Sequence, residues 1–111
     1  TASKVQKNLK SNAISFDIQA VCAGFVYALS VATSMLKNDF GKKCLVIGAD
    51  SMSKILDWDD RSTAVLFGDG AGAVVLEKEI VSNNIFENNQ WGILATKIFT
   101  DGQYYDLLRL A

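Results

Sequence analysis

The stretch Ile14-Ser15-Phe16-Asp17-Ile18-Gln19-Ala20-Val21-Cys22-Ala23-Gly24-Phe25 changes its hydrophobic period in the middle, and the change organises everything around it. From 13 to 20 the residues alternate, with Ile14, Phe16, Ile18 and Ala20 on one side and Ser15, Asp17 and Gln19 on the other, which predicts a β-strand. From Cys22 onward Phe25, Val26, Leu29, Ala32 and Leu36 keep helical spacing, while Ala23, Ala28, Val31 and Met35 fill the other faces. That pattern predicts a helix buried nearly all round. Gly41 is the expected stop, and Cys44-Leu45-Val46-Ile47-Gly48-Ala49 is a continuous apolar run of the kind found in strands covered on both faces. Strand, helix and strand of these lengths predict a βαβ unit with a right-handed crossover, and hence an α/β fold.

Downstream the pattern is less regular. Residues 50 to 61, with Asp50, Asp57, Asp59, Asp60 and Arg61, read as a charged surface excursion, the kind of loop that carries binding residues on a rigid scaffold. Ser62 to Phe67 has no assignable conformation. Gly68-Asp69-Gly70-Ala71-Gly72-Ala73 then leads into the strand-like Ala73-Val74-Val75-Leu76-Glu77. The glycines match one form of the dinucleotide fingerprint, but that motif needs a helix after them, whose N–H groups converge on pyrophosphate. A β-branched run follows instead. A structural turn using positive φ and close backbone approach is the preferred reading, and a substrate-facing loop the other. Residues 82 to 90 are an Asn-rich loop, Trp91 to Thr100 reads as a strand, and Asp101-Gly102 ends it.

Composition bounds the class. The chain has 111 residues, 50% of them hydrophobic, and a formal net charge of −1, which together predict one compact domain. Its lysines are scattered with no cluster beyond the pair Lys42-Lys43, so neither nucleic acid nor a membrane surface is an expected partner. Without a bilayer-length apolar run or a leader-like opening, the expectation is a cytosolic protein. Thr1 is not a natural start, so the chain reads as a piece of something longer. Cys22 and Cys44, the two cysteines, are too far apart in sequence for a redox or zinc pair, and there is no histidine to complete a metal site. Both are expected to be free thiols.

Cys22 falls where the strand pattern gives way to the helix pattern. Unpaired N–H groups and the positive end of the helix dipole favour thiolate there, which would make the sulfur a nucleophile. An inert core cysteine explains the same pattern about as well.

Several motifs taken together decide between these readings. Asp17-x-x-x-x-Cys22-Ala23-Gly24-Phe25-x-Tyr27-Ala28-Leu29, Val46-Ile47-Gly48-Ala49-Asp50, Asp60-Arg61 and Phe67-Gly68-Asp69-Gly70-Ala71-Gly72-Ala73 occur in the order and spacing of the β-ketoacyl-acyl-carrier-protein synthase III family, of the thiolase superfamily. The chain resembles the central part of that family from Ile14 to Leu108, including Asp101-Gly102 and Leu107-Leu108. The resemblance implies a partial thiolase-like fold: residues 1–111 as a single partial domain within the N-terminal half, with a buried nucleophile helix and further strands of a mixed sheet. It implies a decarboxylating Claisen condensation of acyl-CoA with malonyl-carrier protein. Cys22 matches the nucleophile that takes the acyl group, and its backbone N–H can contribute to an oxyanion hole. Arg61 matches a CoA-nucleotide contact, for which the bland alternative is a surface pair with Asp59 or Asp60. Met52 and Phe67 match acyl-pocket positions, though core packing would explain both. No cofactor is implied, acyl-CoA being a substrate. A homodimer through the strand Ile14 to Ala20 is implied as well.

The family's His and Asn, which stabilise the enolate, have no counterpart here, and Trp58 stands where the family commonly has proline. The chain alone is therefore expected not to condense. Other expectations kept open are another thiolase-superfamily condensing enzyme, a non-catalytic dimerisation or scaffold fragment and, last, a nucleotide-binding module on Gly68 to Ala73.

Overall fold

The computed structural model describes residues 1–79 and 92–107. Helix α1 covers Ala2–Asn8, α2 covers Gly24–Lys37, strand β1 covers Lys43–Asp50, α3 is the single turn Arg61–Ala64, and β2 covers Gly70–Glu77. Turns of 3-10 helix stand at Val21–Ala23, Met52–Lys54 and Gly102–Leu107. The strands pair antiparallel in a two-stranded sheet, from Lys43 opposite Glu77 to Asp50 opposite Gly70. Helix α2 lies against β1 and, more lightly, β2.

The buried core sits where α2 meets β1: Ala32, Leu36 and Val46 are 4%, 7% and 4% exposed. With one thin sheet beneath it, α2 covers only one stripe. Val26 and Val31 stand exposed, so the helix is not buried all round, and Leu45 and Ile47 likewise leave one face of β1 bare. The apolar faces are those expected from the sequence; what they lack among the described residues is a second layer.

The α2 terminus is also not where glycine would put it. Asp39, at φ +61°, takes the left-handed position, with its N–H bonded to the Leu36 carbonyl at 3.2 Å and the Phe40 N–H to the Met35 carbonyl at 3.1 Å. These are the paired closing bonds of a Schellman turn, two residues ahead of Gly41. Asn38 reinforces it through Nδ2 to the Ser34 carbonyl, and Lys78 fastens the same end to the sheet by donating to Asp39 at 2.6 Å.

Two expected strands do not form. Residues 14–20 have no ladder partner among the described residues, so no βαβ unit closes. This segment is tied to α1 instead: the Asp17 carboxylate accepts from the Ala2 N–H at 3.0 Å and pairs with the Thr1 ammonium at 2.7 Å, while Gln6 donates to the Ala13 carbonyl. Alternation reports which faces are apolar, and without a backbone partner it makes no sheet. Residues 92–100 are likewise unassigned to a strand. They are held beside α2 by side chains, with the Tyr27 hydroxyl bonded to the Phe99 carbonyl at 3.1 Å and paired with the Thr100 hydroxyl at 2.9 Å. Trp91, the Asn-rich loop and Leu108 lie outside the described residues. No helix among the described residues is long and apolar enough to cross a membrane.

Candidate functional site

Cys22 lies in the 3-10 turn Val21–Ala23 that runs directly into α2, and it is exposed. The turn begins abruptly, because Val21 sits at φ +47°. A β-branched residue is the type least suited to the left-handed region, where its Cβ crowds the following carbonyl at roughly 1–2 kcal/mol. The chain enters the helix through one strained residue, and the cysteine follows it. The Ala23 N–H closes the turn on the Ala20 carbonyl at 3.1 Å. Nothing in the sequence marks Val21 for this role; glycine or asparagine would have been the readable signal.

Phe25, one turn beyond Cys22, sets how closely α2 approaches the sheet. A Cβ on Gly48 would lie 3.1 Å from the ring carbon Cδ2 of Phe25, so the absence of a side chain at 48 permits this packing. Gly72, paired with Gly48 across the ladder, would place a Cβ in open space. None of Gly68, Gly70 and Gly72 takes positive φ, contrary to the turn reading of that cluster, and a strand rather than a helix starts at Gly70. The phosphate-cradle reading therefore has no helix N-terminus to rest on. Phe25, Gly48, Asp50, Asp69 and Ala71 line an open groove.

The excursion after β1 is more ordered than a charged loop suggests. Asp57 accepts from the Asp59 N–H at 3.0 Å, and Asp60 caps α3 by accepting from the Ser62 N–H at 2.9 Å and the Thr63 hydroxyl at 2.6 Å. The Ser62 hydroxyl bond, followed by that of Thr63, holds the Asp60 carboxyl below its usual range. Arg61 is the exposed first residue of α3, and Asp60 spends its acceptors on the cap, not on the guanidinium. Ion pairs among the described residues are Thr1–Asp17, Lys43–Glu77 and Lys78–Asp39, so the alternative reading of Arg61, a surface pair with Asp59 or Asp60, is not made among them.

Met52 opens its 3-10 turn and is half-buried, as is Phe67 in the segment before β2. No hydrogen bond or ion pair joins Cys22, Arg61, Met52 and Phe67, and none of the four lines the groove. One contact does tie the segments of Met52 and Phe67 together, and sequence reasoning missed it. The Asp69 carboxylate accepts from the Ser53 N–H at 2.8 Å with one oxygen and from the Ser53 hydroxyl at 2.6 Å with the other. These bonds, the hydroxyl's first, lower the Asp69 pKa. Cys44 is half-buried in β1, and burial pushes its thiol up. No group of three or more His, Cys, Asp or Glu placed to hold a metal occurs among the described residues.

Comparison with known proteins gives this geometry a context. The family model described as 3-oxoacyl-[acyl-carrier-protein (ACP)] synthase III matches residues 16–102. A beta-ketoacyl-[acyl-carrier-protein] synthase III of Erythrobacter litoralis is 54% identical over 97% of this chain and 32% of its own length, and one from a Wolbachia of Brugia malayi is 52% identical over 91% and 32%. Among solved structures, the 3-oxoacyl-(acyl carrier protein) synthase III of Pseudomonas aeruginosa superimposes with a TM-score of 0.81 at 38% identity, covering 97% of this chain and 32% of that one. The enzyme of Aquifex aeolicus gives 0.66 at 53% identity over 70% and 26%. The chain spans about a third of the length of the curated relatives it matches. Its strands and helices are thus part of a thiolase-like α/β architecture, and the chain belongs to the 3-oxoacyl-[acyl-carrier-protein] synthase III family.

Proposed function

We propose that this chain supplies the acyl-accepting step of a synthase that condenses a short acyl-CoA with malonyl-carrier protein at the start of fatty-acid synthesis. The observation that carries the reading is an exposed Cys22 delivered by a strained turn to the start of α2. The Cys22 sulfur attacks the thioester carbonyl of acyl-CoA; a new S–C bond forms, the bond to the CoA sulfur breaks, and CoA leaves with the proton that Cys22 gave up. Backbone N–H groups at the helix start stabilise the tetrahedral oxyanion. Arg61, with no ion-pair partner among the described residues and held at the start of α3 that Asp60 caps, takes the CoA nucleotide by fork geometry or stacking. Met52 and Phe67 wall the acyl chain. No cofactor takes part.

The carbon–carbon step needs donors to a developing enolate, and these 111 residues contain no histidine. The chain by itself therefore acylates and does not condense. A second copy pairs through Ile14 to Ala20, whose apolar members Ile14 and Phe16 are 69% and 51% exposed. A cytoplasmic setting, with neither nucleic acid nor membrane as a partner, completes the reading.

The test is incubation with labelled acetyl-CoA followed by peptide mass spectrometry. Label is expected on Cys22 and absent from the Cys22→Ser variant. Arg61→Ala should raise the half-saturating acetyl-CoA concentration about tenfold, the worth of one charge-assisted contact, and leave acetyl-pantetheine, which has no nucleotide, unaffected. Label on Cys44 alone would overturn the assignment, and ketoacyl product from this chain alone would overturn the division of labour.

A further inference from the structure

We propose that Asp69 is a positioning residue for acyl-chain selection: its paired hydrogen bonds to Ser53 hold the turn carrying Met52 against the loop carrying Phe67. This rests on the reading of Met52 and Phe67 as pocket walls. The two walls lie on the segments that leave the end of the β1–β2 ladder, where Asp50 pairs with Gly70; beyond that end Ser53 follows Met52 directly, Asp69 is two residues beyond Phe67, and the Ser53–Asp69 bonds carry the connection onward.

Both carboxylate oxygens are engaged, each by a different Ser53 donor, so the contact fixes orientation as well as distance. The Met52 N–H also favours the charged carboxylate, as a smaller contribution. Asp69 is flanked by Gly68 and Gly70, at which an added Cβ would meet nothing within 4 Å. Neither glycine brings a side chain to this loop, so between Phe67 and the ladder's end at Gly70 the Asp69 carboxylate supplies the side-chain anchor. The Asp69 carboxylate has no catalytic task in this scheme, since Cys22 lies on another element and does not touch it. What it controls is the spacing between two half-buried apolar side chains. In an apolar pocket the space of one methylene discriminates roughly 10- to 200-fold between substrates.

The experiment compares the rates of Cys22 acylation by acetyl-CoA and hexanoyl-CoA, followed by intact mass spectrometry, in the wild type and three variants. Asp69→Ala should change the ratio of the two rates about tenfold, the lower bound of that discrimination. Ser53→Ala keeps the backbone N–H bond and loses the hydroxyl one, so it should shift the ratio the same way but less. Asp69→Asn should stay near the wild-type ratio, because its carbonyl accepts from the Ser53 N–H and its NH2 donates to the Ser53 hydroxyl. If Asp69→Ala fails to fold, Ser53→Ala decides the matter. An unchanged ratio in Ser53→Ala and Asp69→Ala, with both donors slowed alike, overturns the positioning role and leaves Cys22 as acyl acceptor intact. An Asp69→Asn variant as altered as Asp69→Ala also overturns it. A wild type that neither donor acylates refutes the acyl-acceptor reading and this inference with it.

Discussion

Replacing Gly48 by valine tests whether the Phe25 contact sets the seat of the Cys22 helix. A Cβ at position 48 falls 3.1 Å from Phe25 Cδ2, with Phe25 Cβ at 3.5 Å and Cγ at 3.6 Å. The first of these is about 0.4–0.9 Å inside the optimal carbon–carbon separation. Alanine would ask the ring to give by a few tenths of an ångström. Valine adds two methyls on the same side, and the ring, anchored in the first turn of α2, must leave its rotamer or push the helix off the sheet. Overpacking of this kind costs about 1–3 kcal/mol. Valine also improves strand propensity over glycine, which would mask part of the loss. Gly72→Val removes that ambiguity, because Gly72 is the cross-strand partner of Gly48 and its Cβ would meet nothing. The stability difference between the two variants, from urea unfolding followed by circular dichroism, should be about 1–3 kcal/mol against Gly48→Val. Equal stability, or a more stable Gly48→Val, would refute the claim that Phe25 and Gly48 define the approach of helix to sheet.

Two further outcomes follow from the charged and thiol groups. Asp17, Asp60 and Asp69 all have folded-state pKa values lowered by hydrogen bonds, the N-terminal ammonium leading for Asp17, Ser62 for Asp60 and Ser53 for Asp69. Their contribution is therefore complete above the ordinary carboxylate pKa of about 4 and is lost as pH falls through the lowered values, so acid titration should leave the fold unchanged from pH 7 to about 5 and destabilise it below about 4. A variant with Asp60→Asn and Asp69→Asn should flatten that decline, and an equally steep decline would count against these bonds. With iodoacetamide near pH 8, Cys22 should alkylate well before Cys44, because Cys22 is exposed whereas Cys44 is half-buried and its thiol is raised by burial. Equal rates would mean that Cys22 has no reactivity beyond that of a half-buried thiol.

Period and composition carried the elements that pack on one another. The helical spacing of Phe25, Leu29, Ala32 and Leu36 matches α2, and the apolar run around Val46 and the β-branched run at Val74 and Val75 match the two paired strands. The expected strands around Ile14 and Ile98 had the same kind of signal and made no ladder, because alternation encodes which side is apolar and not which backbone lies alongside. The left-handed residue that closes α2 is Asp39, not Gly41, since closing bonds from Asp39 and Phe40 and a salt bridge from Lys78 offset the strain of a non-glycine residue there. Of the site, the position of Cys22 at a helix start and of Arg61 on a surface element was legible. The Ser53–Asp69 contact was not: it joins residues 16 apart through a polar pair that leaves no trace in hydropathy.

The torsion at Val21 reaches beyond the local turn. An L-residue with a branched side chain held at φ +47° is under tension, and Val21→Gly would release it. Because Val21 is 81% exposed, that change would sacrifice little apolar burial. A directed-evolution campaign scored on heat resistance alone would thus drift toward glycine at this position and loosen the hinge that presents the thiol. Durability and reactivity pull on the same bond rotation, one residue ahead of the sulfur.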